Sequence, residues 1–119
     1  MTIFHCAPVF AVSDTLATAE YYREHFGFEV RGGAVKEYAV VQRGGFEIHF
    51  IDHHSESERA AGDQGGAYLT VDDPDQFYQE LLGRGARIHY PPTDQAYGMR
   101  DFAVLDNNGY WLCFGVRRA

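Results

Sequence analysis

Six histidines and two cysteines are the residues of this chain best suited to metal binding or nucleophilic chemistry. The two cysteines, Cys6 and Cys113, are too few for a disulfide scaffold or a four-cysteine zinc site. The adjacent pair His53-His54 would point to opposite faces of a strand, so it does not converge on one ion. The chain has no Gly-x-Ser-x-Gly motif, and its paired glycines fit turns rather than a phosphate-binding loop. Local spacing alone therefore identifies no catalytic centre.

The composition is that of an ordinary globular chain with an acidic balance. The chain has 119 residues, which suits one domain, and 15% of them are aromatic. The net charge of -7 disfavours nucleic acid and anionic membranes as partners, because both bind basic surfaces. No apolar run approaches the roughly 20 residues of a membrane span, and no basic segment like that of a signal peptide opens the sequence. We therefore expect a cytoplasmic protein whose acidity is compatible with a cationic ligand.

Two similar halves follow each other along the chain. Val12-Ser13-Asp14 and Val71-Asp72-Asp73 each close an extended apolar segment and lead into a helix that later glycines end. Three further strands follow each helix, which gives the order βαβββ twice. We predict an α+β fold of one structural domain, with modules at residues 1–54 and 67–119. The polar segment 55–66, rich in small residues, is predicted to be the linker.

Local signals define the ends of these elements. Asp14 and Asp73 are predicted helix N-caps, and Gly27 is predicted to end the first helix. Gly44-Gly45 predicts a tight hairpin between two strands. The buried stripe of the first helix is predicted at four positions: Leu16, Ala19, Tyr22 and Phe26.

Several short motifs occur in an order typical of one superfamily. They are Ala11-Val12-Ser13-Asp14, Gly27-Phe28, Val41-Gln42-Arg43-Gly44, Gly98-Met99-Arg100-Asp101 and Asp106-Asn107-Asn108-Gly109. With them the chain resembles the vicinal oxygen chelate superfamily, which includes glyoxalase I, extradiol dioxygenases, fosfomycin-resistance proteins and bleomycin-resistance proteins. The short chain and the hairpin from Tyr38 to Ile51 look closest to the bleomycin-resistance-like branch. The resemblance implies curled mixed sheets that form a half-barrel cavity, and a homodimer whose modules pair within one chain or across two.

The resemblance also implies where a metal would be held. Metal-dependent members bind a divalent ion with four ligands, and the matching positions in this chain are Ala7, His49, Gly66 and Cys113. Only His49 is a good ligand, so we predict a protein without a metal, a cofactor or catalysis. His5 lies two residues before Ala7 and would share its strand face. The alternative is therefore a metal-dependent lyase, isomerase or dioxygenase that uses His5 and His49, and a third possibility is a structural or regulatory dimer.

The predicted function is sequestration of a cationic or planar aromatic, antibiotic-like small molecule, as in antibiotic resistance. Counting by two from the family's ligand positions predicts these cavity-facing residues: His5, Ala7, Val9, Glu47, His49, Ile51, Tyr68, Thr70, Trp111 and Cys113. On the remaining strand of the first hairpin, we assign Tyr38 and Val40 to the cavity. Glu47 is the acid predicted to pair with the ligand's charge, with Asp101 as a weaker candidate. Arg100 is predicted to contact oxygen groups of the ligand. The alternate residues on the same strands are predicted to pack against the helices.

Overall fold

The computed structural model describes residues 1–52 and 65–119, which fall into two compact units on either side of the gap. The pair His53-His54 and most of the predicted linker, Ser55 to Gly66, lie outside the described residues. Gly66 itself begins a strand. The proposed module boundaries at residues 54 and 67 stay a prediction.

The first unit consists of one helix and a four-stranded sheet. Its elements are β1 (Val9–Val12), α1 (Thr15–Phe26), β2 (Glu29–Val30), β3 (Tyr38–Arg43) and β4 (Phe46–Asp52). The strand order is β1-β4-β3-β2, with β1 parallel to β4 and the other pairs antiparallel. The hairpin between β3 and β4 turns at Gly44-Gly45, as predicted.

The second unit repeats this topology. Its elements are β5 (Gly66–Thr70), α2 (Pro74–Gly83), β6 (Arg87–Asp94), β7 (Met99–Leu105) and β8 (Trp111–Arg117). The strand order is β5-β8-β7-β6, with β5 parallel to β8. The predicted α+β fold with two βαβββ modules is therefore confirmed.

Both helices begin at their predicted N-caps, and α1 ends at the predicted glycine. The Asp14 carboxylate accepts a hydrogen bond of 2.9 Å from the Ala17 amide, and Gly27 ends α1 in the left-handed conformation. Asp73 accepts from the Gln76 amide at 3.1 Å, and Pro74 follows it at the first helical position. Neither helix of the described part of the chain is long and apolar enough to cross a membrane.

The buried face of α1 differs from the predicted stripe at one position. Leu16 is 47% exposed, whereas Thr15 and Thr18 are buried beside Ala19 and Tyr22. Thr15 tolerates burial because its hydroxyl donates to the carbonyl oxygens of Val35 and Lys36, at 2.9 and 2.7 Å. Leu16 lies about 100° further round the helix than Thr15, which leaves it outside the buried face. The prediction that Leu16 is buried was wrong.

Leu112 and Phe114 of β8 contribute to the core of the second unit, and Cys113 between them is buried as well. Leu112 and Phe114 are buried, and the Phe114 ring packs edge-on against Phe77 of α2, with centroids 4.8 Å apart. Trp111 and Cys113 therefore lie on the opposite face of this sheet, away from α2. We call this opposite face of the second sheet the open face.

Candidate functional site

A buried carboxylate, Asp101, is the centre of the open face. Its side chain has no exposed surface, yet both oxygens are occupied by hydrogen-bond donors. The four donors and their distances are Tyr90 (2.9 Å) and Gln95 (2.9 Å) on Oδ1, with Tyr68 (2.8 Å) and Tyr97 (2.5 Å) on Oδ2. Four donors fill the acceptor capacity of a carboxylate. We refer to Tyr68, Tyr90 and Tyr97 around Asp101 as the tyrosine cluster.

The sheet brings these side chains together across three strands. Tyr68 starts on β5 and must cross β8 to reach Asp101 on β7. It crosses at Gly115, which is paired with both Thr70 and Asp101 in the strand register. A Cβ atom at position 115 would overlap the Tyr68 hydroxyl. A glycine at position 115 therefore allows the Tyr68–Asp101 hydrogen bond.

An irregular edge strand positions the second tyrosine. β6 is at the edge of its sheet, and its register to β7 shifts on both sides of Tyr90. Such a bulge re-aims a side chain, and here it places the Tyr90 hydroxyl on Asp101. The edge position also tolerates Pro91 and Pro92, which lack the amide that a central strand needs.

The cluster holds a negative charge among neutral phenols. Burial acts to raise the pKa of Asp101, but its hydrogen bonds, that from Tyr97 being the strongest, outweigh burial and keep the pKa below its usual value. The bond to Asp101 is also the main cause that raises the pKa of Tyr97 to about 12. Burial is the main cause of the raised pKa values of Tyr68 and Tyr90. At neutral pH, Asp101 is therefore ionised and the three tyrosines are not.

Within the described residues, no arginine, lysine or histidine forms an ion pair with Asp101. Arg100, its neighbour on β7, points to the other face, where it pairs with Asp75 of α2 at 2.8 Å and with Asp94 at 3.0 Å. The structure thus places Arg100 in a salt-bridge network with α2, apart from Tyr68, Trp111 and Cys113. Among residues 1–52 and 65–119, the groups that stabilise the negative charge of Asp101 are neutral hydrogen-bond donors.

Cys113 is joined to the same cluster as a thiol. Tyr90 gives its single hydroxyl proton to Asp101, so the Cys113 thiol, with Sγ 3.1 Å from the Tyr90 oxygen, is the donor of that contact. Burial is the main cause that raises the pKa of Cys113 to about 11. The thiolate, which is the form that attacks electrophiles or binds metals, is therefore disfavoured.

Aromatic surface surrounds the buried charge. Tyr68 and Tyr97 are 43% and 63% exposed although their hydroxyls are held on Asp101. Trp111, half-buried, stands on the same face and packs over Gly66, where a Cβ atom would overlap the Trp111 backbone oxygen and ring. The open face therefore presents ring surfaces above an enclosed anion.

A second cluster of charged groups forms in the first unit, around Glu47. Its carboxylate contacts Arg31 Nη1 at 3.0 Å, His49 Nε2 at 2.9 Å and His5 Nε2 at 3.7 Å. The other ring nitrogen of His49 bonds to the Tyr38 hydroxyl. The hydrogen bond from His49, followed by the positive charges nearby, lowers the pKa of Glu47.

This Glu47 cluster borders a cavity of about 360 Å³. Its lining residues are Arg31, Gly32, Gly33, Ala34, Tyr38, Ala39, Val40, Glu47 and His49. Four of the predicted ligand-binding residues, Tyr38, Val40, Glu47 and His49, therefore lie around one cavity. Ile51 is half-buried and is paired with Tyr38 in the strand register. Residues 1–8 precede β1, so His5 is not on that strand as expected, although it still reaches Glu47.

The four family positions for a metal do not fit a metal centre of that pattern. Ala7 has no donor atom, position 66 has no room for a side chain, and Cys113 is a protonated thiol within a hydrogen-bond chain. Both ring nitrogens of His49 are engaged by other side chains. Among residues 1–52 and 65–119, no three His, Cys, Asp or Glu side chains are arranged to hold an ion.

Sequence reasoning missed three of the four hydrogen-bond donors to Asp101, and Arg31 of the Glu47 cluster. Tyr90 lies in the irregular edge strand β6, and Gln95 and Tyr97 lie in the turn that follows it, so strand alternation does not place them. Arg31 stands in a glycine-containing loop that carries no periodic signal. The signal in the sequence that could have indicated these residues is the spacing of Tyr90 and Tyr97, which lie within eight residues of one another and shortly before Asp101.

The two βαβββ modules define a known structural class, and a family model that matches the sequence identifies the family. The model of the Glyoxalase/Bleomycin resistance protein/Dioxygenase superfamily matches residues 2–114. The chain belongs to this superfamily, which confirms the resemblance read from its motifs. A search of curated proteins finds no sequence match.

Several solved structures share the fold. The bleomycin-binding protein of bleomycin-producing Streptomyces verticillus, in complex with copper(II)-bleomycin, has a TM-score of 0.80 and 24% identity, covering 98% of each chain. The bleomycin resistance determinant encoded on the transposon Tn5 has the same score and identity, covering 98% of this chain and all of its own. A glyoxalase/bleomycin resistance protein/dioxygenase from Nocardioides has a TM-score of 0.79 and 16% identity, with coverage of 99% and 86%.

Proposed function

We propose that this protein binds and sequesters a cationic, planar aromatic small molecule, as bleomycin-resistance proteins do, without a protein-held metal and without catalysis. One observation carries the proposal: the open face presents the exposed residues Tyr68 and Tyr97 over a fully buried carboxylate, and Trp111 lies farther along the same face. Ring faces carry negative electrostatic potential and attract cations, and they stack on planar ligands. A buried ionised carboxylate beneath them adds a field of the same sign.

The comparisons and the family's metal positions support this choice within the superfamily. Two proteins of the same fold are described as bleomycin-binding or bleomycin-resistance proteins. The net charge of -7 also favours approach of a cation. The poor fit of Ala7, Gly66 and Cys113 to the four-ligand pattern supports binding rather than metal-assisted catalysis. The homodimer and the cytoplasmic location remain predictions from the sequence.

The proposal predicts that metal-free bleomycin quenches or shifts the fluorescence of Trp111, the single indole of the chain, in a saturable titration. A planar ligand that stacks on Trp111 gains about 0.5–1.5 kcal/mol beyond its area burial, so Trp111→Leu should weaken binding about tenfold. Calorimetry measures the variant, because it lacks the fluorophore. Thermal unfolding without ligand shows whether the variant is folded. Absence of both the fluorescence change and the binding heat in the parent protein would refute a bleomycin-type ligand.

A pair of substitutions with opposite expected signs tests the cavity of the first unit. Glu47→Gln should weaken bleomycin binding only about threefold, because the Arg31 guanidinium already pairs with the carboxylate. Arg31→Gln should strengthen binding by a similar factor, since it frees Glu47 for a cationic group. Glu20→Gln, which removes an exposed carboxylate paired with Arg23 on α1, is the control and should leave the affinity unchanged. Equal affinities in all three variants would remove Glu47 from the binding site.

A further inference from the structure

We propose that the tyrosine cluster is a subsite for a weakly hydrated organic cation, such as an alkylated ammonium group. Tyr68 and Tyr97 contact this cation through their ring faces, and Asp101 beneath them positions and polarises the two rings. This subsite rests on the proposed binding function and specifies which chemical group of the ligand the open face of the second unit selects. The juxtaposition that carries it is a fully enclosed anion hydrogen-bonded to two tyrosines, Tyr68 and Tyr97, that are themselves 43% and 63% exposed.

The hydrogen bonds fix which part of each tyrosine a ligand can reach. The hydroxyls of Tyr68 and Tyr97 both donate to Oδ2 of Asp101, so their polar ends are consumed below the surface. A phenol that donates to a carboxylate becomes richer in electrons, which strengthens the attraction of its ring face for a cation. What remains open to solvent is therefore ring surface of unusually negative potential.

The enclosure of Asp101 decides which cations fit. The carboxylate is fully buried and has all its acceptor positions filled, so a ligand cannot form a direct ion pair with it. A small, strongly hydrated metal cation would lose water without gaining an oxygen ligand. An alkylated ammonium or a guanidinium group loses little hydration and gains both ring contact and the field of the buried charge. The neighbouring cation of the chain, Arg100, does not compete, since it is held by Asp75 and Asp94 on the other face.

The position of the rings is built into the sheet. Tyr68 lies over Gly115, where any larger residue would displace its hydroxyl, and Tyr90 is turned toward Asp101 by the register shifts of β6. Tyr90 is bonded in turn to the Cys113 thiol, which fixes it from the other side. The cluster therefore does not need to reorganise when a cation arrives, and preorganisation of this kind favours binding.

Choline chloride and its neutral isostere, 3,3-dimethyl-1-butanol, test the charge requirement directly. We expect choline to shift the ring-proton NMR signals of Tyr68 and Tyr97 saturably, with an affinity about tenfold higher than that of the neutral isostere. Sodium chloride at the same ionic strength is the control and should not shift these signals. Equal shifts by choline and its isostere, or by sodium chloride, would overturn the proposed subsite.

Three variants separate the ring contact from a structural role. Tyr97→Leu removes an exposed ring and should weaken choline binding at least fivefold, whereas Tyr21→Leu on α1 of the first unit should leave it unchanged. Asp101→Asn should lower the ratio of choline to isostere affinity toward one, a change that loss of shape alone would not produce. If Asp101→Asn does not fold, Tyr97→Leu decides: an unchanged choline affinity in that variant refutes the subsite.

These experiments distinguish absence of the cation subsite from failure of the proposed binding function. A chain that binds bleomycin with the same affinity before and after Tyr97→Leu, and does not bind choline, retains the function but lacks this cation subsite. A chain that binds choline through the tyrosine cluster but does not bind bleomycin has the subsite, and its ligand is a different organic cation.

Discussion

Replacing Asp101 by asparagine is expected to lower the free energy of unfolding by about 3 kcal/mol. The side chain is fully buried and accepts four hydrogen bonds, two on each oxygen. An asparagine amide group cannot accept the two bonds directed at the oxygen it replaces, so two buried donors lose their acceptor. Urea denaturation of the parent protein and the variant measures the difference.

Asp94→Asn is the matched control, because Asp94 is an exposed carboxylate in a salt bridge with Arg100. Exposed pairs of this kind contribute little to stability, so the control should unfold near the parent's midpoint. If both variants lose the same stability, the hydrogen bonds of the tyrosine cluster contribute no more than a surface pair, and the cluster has no special role in the second unit.

The pH dependence of this effect has a definite sign. The pKa of Asp101 is lower in the folded protein than the value of about 3.9 expected for an unfolded chain. Its contribution to stability is therefore complete above about pH 4 and is lost as the pH falls through the lower, folded-state pKa. The stability difference between parent and Asp101→Asn should shrink as the pH is lowered below about 4. A difference that stays constant down to pH 2 would show that folding does not lower the pKa of Asp101.

The elements of the fold are predictable because their signals are local. Asp14 and Asp73 accept bonds from amides three residues later, and Gly27 supplies the left-handed conformation at a helix end. Each of these interactions lies within one turn of its residue, so sequence spacing contains it. The alternation along β8 is similarly local, which is why the faces of Trp111 and Cys113 follow from counting by two.

The tyrosine cluster is not predictable in this way, because its contacts join distant residues through an irregular strand. Tyr68 and Asp101 are 33 residues apart, and they meet only because Gly115 leaves space between them. Counting by two along β6 fails at the register shifts beside Tyr90. The sequence analysis listed Tyr68 and Arg100 as site residues and gave Asp101 less weight than Glu47. The structure joins Tyr68 to Asp101 and directs the Arg100 side chain to α2.

The same distinction between local strand alternation and contacts of distant residues explains which residues around the first unit's cavity the sequence analysis listed. Tyr38, Val40, Glu47 and His49 follow from alternation on two strands of a regular hairpin, and all four border one cavity. Arg31 reaches Glu47 from a loop that Thr15 holds through Val35 and Lys36, two contacts about 20 residues apart in the sequence. No periodic pattern contains such a contact. Sequence reasoning therefore missed a residue positioned by a loop, whereas the four strand residues that it listed border one cavity and their role in ligand binding stays a prediction.

Replacing Gly66 by alanine is expected to destabilise the second unit by about 3 kcal/mol, because a Cβ atom there would overlap the backbone oxygen and ring of Trp111. Relief requires β5 to move away from β8, which would break the register from Gly66–Trp111 to Thr70–Gly115. Gly83→Ala at the end of α2 is the control: nothing lies near its Cβ position, so it should be neutral or stabilising by about 0.5 kcal/mol. Urea denaturation compares the two variants.

Position 66 is also the third metal-ligand position of the family pattern. A Gly66→Ala variant as stable as the parent would show that β5 can accommodate a side chain there, and would restore the metal-dependent alternative. The expected loss of stability would instead mean that no ligating side chain can be introduced at position 66 without disrupting the pairing of β5 with β8.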